Sequence, residues 1–298
     1  MAVHSAVLGP VRVPFAAILV GCVIPDLPWI FRRLLDATGI TFEPITAYAY
    51  FIAQASLVGC LLPSIAFGLL FRNIKLVAAF ALLGSLLHLL LDSLQDKWGV
   101  GVHLFAPYNW QTFQLGIFEL DSSLTYLISF AGIIPFLLIA RARHDARFVC
   151  VNFVRLTACC VCLIAYFSFP FLFISDVVAS NSRYLQTFEN EDERHGKLLE
   201  LDRETASIAG DNWYTTTHVG ETLKIVNPDA NMTDGDTYSF KAEFRNNREI
   251  KLIEWKRHSR ARDLASRIGL LAIGCWMAVV LMLSKKPKSA GMEKVGQA

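Results

Sequence analysis

Long apolar runs constrain this chain more than any other feature of its sequence. Six runs approach or exceed the roughly 20 residues that a helix needs to cross a bilayer. They are Val13–Phe31, Ala47–Phe71, Leu76–Leu91, Ser122–Ala140, Val149–Ile174 and Leu264–Leu283. The mean hydropathy of +0.41 and the hydrophobic content of 54% are high for a soluble domain. The sequence therefore predicts an α-helical polytopic membrane protein with five or six membrane helices.

A polar segment, residues 176–262, interrupts this pattern. Short runs with partial period-two alternation are separated by turns rich in Gly, Asn and Asp, which is typical of strands. The predicted strands are Gly196–Glu204, Trp213–Val219, Glu221–Val226, Tyr238–Arg245 and Glu249–Arg257. Five short strands favour an inserted small all-β, OB-like barrel domain. We therefore expect a helical membrane domain with a metal site at 1–175, this barrel domain at 176–262, a C-terminal membrane helix at 263–284 and a basic tail at 285–298.

Basic residues indicate the orientation of the chain. Arg72 and Lys75, the arginines between 141 and 155, and the C-terminal lysines would be cytoplasmic under the positive-inside rule. The sequence thus predicts a multi-pass protein of the inner (plasma) membrane, with an extracytoplasmic β domain and a cytoplasmic C-terminus. A net charge of +2 provides no field that would attract nucleic acid. The expected partners are membrane lipid, as environment and as substrate, and a protein that binds the β domain.

His88 and Asp92 are metal-capable side chains four residues apart in an apolar run. On a helix this spacing places both on one face, and ionisable residues inside a membrane helix by default indicate a functional site. They would supply two ligands to a metal ion, or form a hydrogen-bonded pair that clamps helices together. Asp26 follows Pro25 at the end of another apolar run, where it is either a third ligand or a cap of the helix end.

Four further residues are candidates for the same site. His4 would reach the face of Asp26 if the first apolar segment re-enters the membrane; otherwise it is an ordinary solvated residue. Asp121 is most simply the N-cap of the next helix. Near a metal ion, Asp121 or Glu119 would instead act as a general base or as an extra ligand. His103 would donate a proton or hold an anion.

The order of these residues resembles the YdjM-type family of membrane-bound metal-dependent hydrolases. The resemblance rests on His4, on Pro25-Asp26 at a helix end, on the His88-x-x-x-Asp92 element and on the following loop with Gly99, Gly101 and Pro107. It covers roughly residues 1–140. It implies a divalent metal, zinc, and a hydrolase with a distant likeness to zinc-dependent phospholipases C.

The leading hypothesis is a membrane-embedded, divalent-metal-dependent hydrolase that acts on a lipid or amphiphilic phosphoester. Asp26, His88 and Asp92, together with His4, would hold the metal and leave a position for water. One alternative is a non-enzymatic membrane scaffold or partner-binding protein. The other is a transporter that handles ions or protons, although no inverted repeat is visible in the sequence.

Overall fold

The computed structural model describes residues 15–40, 42–99, 101–119, 121–140 and 152–259, with a few helical residues between 264 and 275. The helices are α1 (Phe15–Val23), α2 (Leu27–Thr38), α3 (Pro44–Ala55), α4 (Leu57–Leu69), α5 (Ile74–Leu94), α6 (Ser123–Ala140), α7 (Phe153–Ser168), α8 (Ile174–Ser180) and α9 (Leu185–Glu189). Turns of 3-10 helix follow α1 at Ile24–Asp26, α7 at Phe169–Leu172 and α9 at Glu191–Glu193. The strands are β1 (Gln95–Asp96), β2 (Phe118–Glu119), β3 (Leu198–Ala209), β4 (Asn212–Thr216), β5 (Thr222–Ile225), β6 (Thr237–Phe244) and β7 (Glu249–Arg257). The described residues as far as His258 form one compact unit, and those from Ser259 onward form a second.

Breaks in the backbone divide the apolar runs. Helix α1 ends at Val23 because the chain tightens there into the 3-10 turn that contains Pro25. At Ser56 the backbone is extended, and the Ser56 hydroxyl accepts a hydrogen bond from the N–H of Gly59 at the start of α4. A serine in this position begins a new helix. Helices α3 and α4 consequently meet at an angle of 61°.

The predicted number of membrane helices is wrong. Within the described ranges, only α5 and the continuous helix Phe153–Leu172 are long and apolar enough to cross a membrane. The number rises to three if the bent pair α3–α4 is one span. Hydropathy measures the apolar content of a run and not the breaks in its backbone, so the runs overstate the number of spans. Most of the run Leu264–Leu283 lies outside the described residues.

Strands β3 to β7 form a five-stranded sheet, and each overlaps one of the five runs that alternate in the sequence. Their hydrogen-bonded order is β3-β4-β5-β7-β6, and β6 also pairs with β3. The pair β5–β7 is parallel, and the other pairs are antiparallel. In β6, Phe240, Ala242 and Phe244 are buried while Lys241 and Glu243 are half-buried, as the period of a strand requires.

One buried core joins the sheet to the helices. Tyr48 and Ile52 of α3 belong to the same apolar cluster as Phe188 of α9 and Phe240 of β6. The rings of Tyr48 and Tyr184 lie 5.3 Å apart. The predicted fold class is therefore wrong in the number of membrane helices and also in treating the β region as a separate inserted domain. The sheet shares its core with α3 and α9, because their apolar faces need a buried partner.

Candidate functional site

Helices α1 and α5 approach closely through two glycines. A Cβ atom on Gly84 would collide with the backbone oxygen of Ile18, and one on Gly21 would collide with that of Ala81. The Ser85 hydroxyl donates a hydrogen bond to the Gly21 carbonyl oxygen at 2.9 Å. Small residues allow two helix backbones to approach in this way. The contact places the turn that follows α1 beside the last turns of α5.

This packing brings together four side chains that we call the polar cluster: Asp26, His88, Asp92 and Lys97. The Nε2 atom of His88 lies 3.7 Å from Oδ1 of Asp26 and 3.5 Å from Oδ2 of Asp92. The Lys97 ammonium lies 2.5 Å from the same Oδ2 of Asp92. Asp26 is the most accessible member, with 51% of its side chain exposed, whereas the other three are mostly buried. The structure therefore brings the three predicted ligands Asp26, His88 and Asp92 together, and it adds a lysine.

The donor types of the cluster suit a divalent metal, but the described ligand set is incomplete. A tetrahedral zinc ion with bonds of about 2.1 Å separates its ligand atoms by about 3.4 Å, and both contacts of His88 are close to that separation. Against this, no group of three or more His, Cys, Asp or Glu side chains in the described part of the chain is arranged to hold a metal ion. Lys97 also pairs with Asp92 where a metal would bind. His4, the fourth predicted ligand, lies outside the described residues.

The three predicted catalytic residues have other partners. Glu119 forms an ion pair with Lys256, and Oδ2 of Asp121 lies 2.8 Å from Nδ1 of His258. The Nδ1 atom of His103 lies 2.6 Å from the carbonyl oxygen of Trp110. Burial lowers the pKa of His103 to about 4, so this imidazole is neutral at neutral pH and cannot attract an anion by charge. Among the described residues, no hydrogen bond or ion pair joins these three side chains to the polar cluster.

Asp121 instead begins a buried hydrogen-bonded network that sequence reasoning missed. The Nε2 atom of His258 lies 2.8 Å from the hydroxyl of Ser239, and that hydroxyl donates to Asp202 at 2.8 Å. Burial raises the pKa of Asp202. The order Ser–His–Asp has the contacts of a nucleophilic triad. However, Ser239 is fully buried and already hydrogen-bonded to Asp202. The network therefore fastens β3, β6 and the end of β7 to the loop before α6.

No protein-family model, no curated protein and no solved structure matches this chain. Its function is therefore argued from the polar cluster, from the apolar helices that hold it and from the chemistry of the residues around it.

Proposed function

We propose that this chain is a membrane-embedded, divalent-metal-dependent hydrolase that acts on a lipid or amphiphilic phosphoester, as the YdjM-type resemblance implies. The observation that supports the proposal is the convergence of Asp26, from the turn after α1, with His88 and Asp92 of α5. Helix α5, which carries His88 and Asp92, is long enough to cross a membrane. Ionisable side chains are costly in such a helix and mark functional sites by default.

In this proposal, the carboxylates of Asp26 and Asp92 and Nε2 of His88 hold the metal. The bound ion supplies a nucleophilic water at neutral pH and polarises the phosphoryl oxygen. Lys97 contacts the same oxygen of Asp92, so its ammonium group would leave this oxygen if Asp92 held a metal. The displaced ammonium group is then available to an anionic oxygen of the substrate. Asp26 is the most exposed member of the cluster, so we expect the substrate to approach the metal from its side.

The test measures bound metal and hydrolysis together. Detergent-purified protein is analysed for zinc and other divalent ions and is assayed on a panel of lipid phosphoesters. We expect about one tightly bound ion per chain. His88→Ala should lose the ion and reduce the activity at least about tenfold, because changing even a residue that only supports a metal ligand has an effect of this size. His195→Ala, which changes an exposed histidine of the sheet region, is the control. A wild-type protein that carries no metal and ignores a chelator would refute the proposal.

The ion pair between Lys97 and Asp92 favours a second candidate, a non-enzymatic membrane scaffold. In that case the polar cluster is a clamp in which lysine and histidine neutralise two carboxylates between apolar helices. The same variants separate the two functions. For a scaffold, His88→Ala lowers the thermal midpoint of unfolding, and a chelator changes neither this midpoint nor any activity. For the metal-dependent hydrolase, the chelator reproduces the effect of the substitution.

A further inference from the structure

A cleft of about 290 Å³ lies next to the polar cluster, at the end of α5. Its walls come from the residues after α5, from the connection between α8 and α9, and from strands β3 and β6. Three cations line it: Lys97, Arg183 and Lys241. We call it the cationic cleft. Its volume is near the lower end of the range for small-molecule sites.

The wall of the cationic cleft is held by contacts from three separate segments, which meet at Gly99. The N–H of Gly99 donates a hydrogen bond to Oε2 of Glu200 at 2.9 Å, and Asn181 donates to the Gly99 carbonyl oxygen at 3.2 Å. Gly99 has a φ of +68°, and a Cβ atom there would collide with the backbone oxygen of Glu200. Glycine is therefore required for this close approach. The wall is fixed before any ligand enters, which lowers the entropic cost of binding.

The cations keep hydrogen-bond donors for a ligand. Arg183 pairs with Glu200, and Lys241 lies 3.1 Å from Glu254 and 4.6 Å from the ring centroid of Trp98. An ammonium has three N–H donors and a guanidinium has five, so a single carboxylate partner does not exhaust either group. The other carboxylate in the lining belongs to Asp96 and accepts a hydrogen bond from Gln114. Each of the three cations already has one carboxylate partner, so an anionic ligand would bind through the N–H donors that these groups keep and not through an excess of positive charge.

Lys97 belongs to both sites, since it lines the cationic cleft and contacts Asp92 of the polar cluster. We propose that the cationic cleft binds the phosphate of an amphiphile headgroup through Lys97, Arg183 and Lys241, and so presents its ester bond to the polar cluster. This proposal rests on the proposed hydrolase function. It adds the group that is recognised and the residues that recognise it. Arginine and lysine are suited to this role because their hydrogen bonds to phosphate are charge-assisted.

The test measures binding by calorimetry on the full-length, detergent-purified protein, with soluble dihexanoyl phosphatidic acid as the probe. Arg183→Gln and Lys241→Gln should each weaken binding about tenfold, which corresponds to one lost charge-assisted hydrogen bond. Lys224→Gln is the control, because Lys224 lies 3.6 Å from Glu249 on the sheet and does not line the cleft. The proposal is overturned if Arg183→Gln and Lys241→Gln bind phosphatidic acid as tightly as the wild type does. It is also overturned if the wild type does not bind phosphatidic acid.

Two further arms separate the possible failures. The double variant Asp26→Asn, His88→Gln removes two of the three proposed metal ligands and leaves Arg183 and Lys241 in place, so Arg183→Gln or Lys241→Gln added to it should still weaken phosphatidic acid binding about tenfold. If these additions weaken binding while the wild type hydrolyses no phosphoester, the proposed function fails and the cleft stands. Inorganic phosphate is titrated in parallel. If the protein binds inorganic phosphate as tightly as phosphatidic acid, the cleft is a site for free phosphate and the headgroup assignment is overturned.

Discussion

A buried carboxyl group on β3 should make the stability of this protein fall as the pH rises from 6.5 to 8. Glu204 is 3% exposed, and its Oε1 accepts a hydrogen bond from the His218 N–H at 2.7 Å. Burial raises the pKa of Glu204 from 4.5 to about 8, and burial, with the charge of Arg32, lowers the pKa of His218 to about 4. The 3.3 Å contact between Oε2 of Glu204 and Nδ1 of His218 would also suit an ion pair. Because both pKa shifts favour the neutral forms, we interpret this contact as a hydrogen bond from the neutral carboxylic acid of Glu204 to the neutral imidazole of His218.

The size of the effect follows from the two pKa values of Glu204. Between pH 4.5 and 8 the folded protein holds a proton that the unfolded chain has released, so its stability falls as the pH rises through this window. His218 acts in the opposite sense below about pH 6.5, where the unfolded chain binds the extra proton. The Glu204 effect is therefore visible alone between pH 6.5 and 8. At about 1.4 kcal/mol per pH unit, this window corresponds to about 2 kcal/mol.

The assay is thermal unfolding of the detergent-purified protein at pH 6.5 and 8.5, for the wild type and for Glu204→Gln. The amide keeps both hydrogen bonds to His218 and has no proton to lose. We therefore expect the wild-type midpoint to fall by about 4 °C more than that of the variant. Glu189→Gln, which changes an exposed carboxylate at the end of α9, should behave as the wild type does. Equal falls for wild type and Glu204→Gln would show that Glu204 is already ionised at pH 6.5, and the reasoning would be refuted.

Two further substitutions test the packing. Gly84→Leu should push α1 and α5 apart, lower the midpoint of unfolding and remove any bound metal, while Gly132→Leu, where a Cβ atom has nothing within 4 Å, should leave both unchanged. Equal effects of the two leucines would show that the close helix contact does not position the cluster. Arg194→Met removes a guanidinium that is 1% exposed and leaves the Glu221 carboxylate without its ion-pair partner. The free energy of unfolding, measured in urea, should fall by about 3 kcal/mol. Lys197→Met, at an accessible ion pair, should change stability much less; a similar loss for both would contradict the argument.

The candidate site could be predicted from the sequence only where local geometry decides it. The spacing of His88 and Asp92 fixes one helical face, and the proline before Asp26 ends an apolar segment, so both features are visible in the chain itself. Lys97 could not be identified as a partner of Asp92, because its direction depends on how the chain leaves α5. The sequence assigns Glu119 or Asp121 a role as general base or extra ligand only if that residue lies near the metal. The structure pairs them with Lys256 and His258, more than a hundred positions away.

The apolar segments can be predicted from the length of the apolar runs, the five strand segments from their period of two, and the shared face of His88 and Asp92 from their spacing of four. The tertiary structure decided how many helices have membrane length, because breaks such as that at Ser56 depend on backbone conformation and not on hydropathy. Tertiary packing is also the reason that the sheet shares a core with α3 and that α1 and α5 approach closely at Gly21 and Gly84. These features are contacts between residues far apart in the chain, which no local pattern specifies.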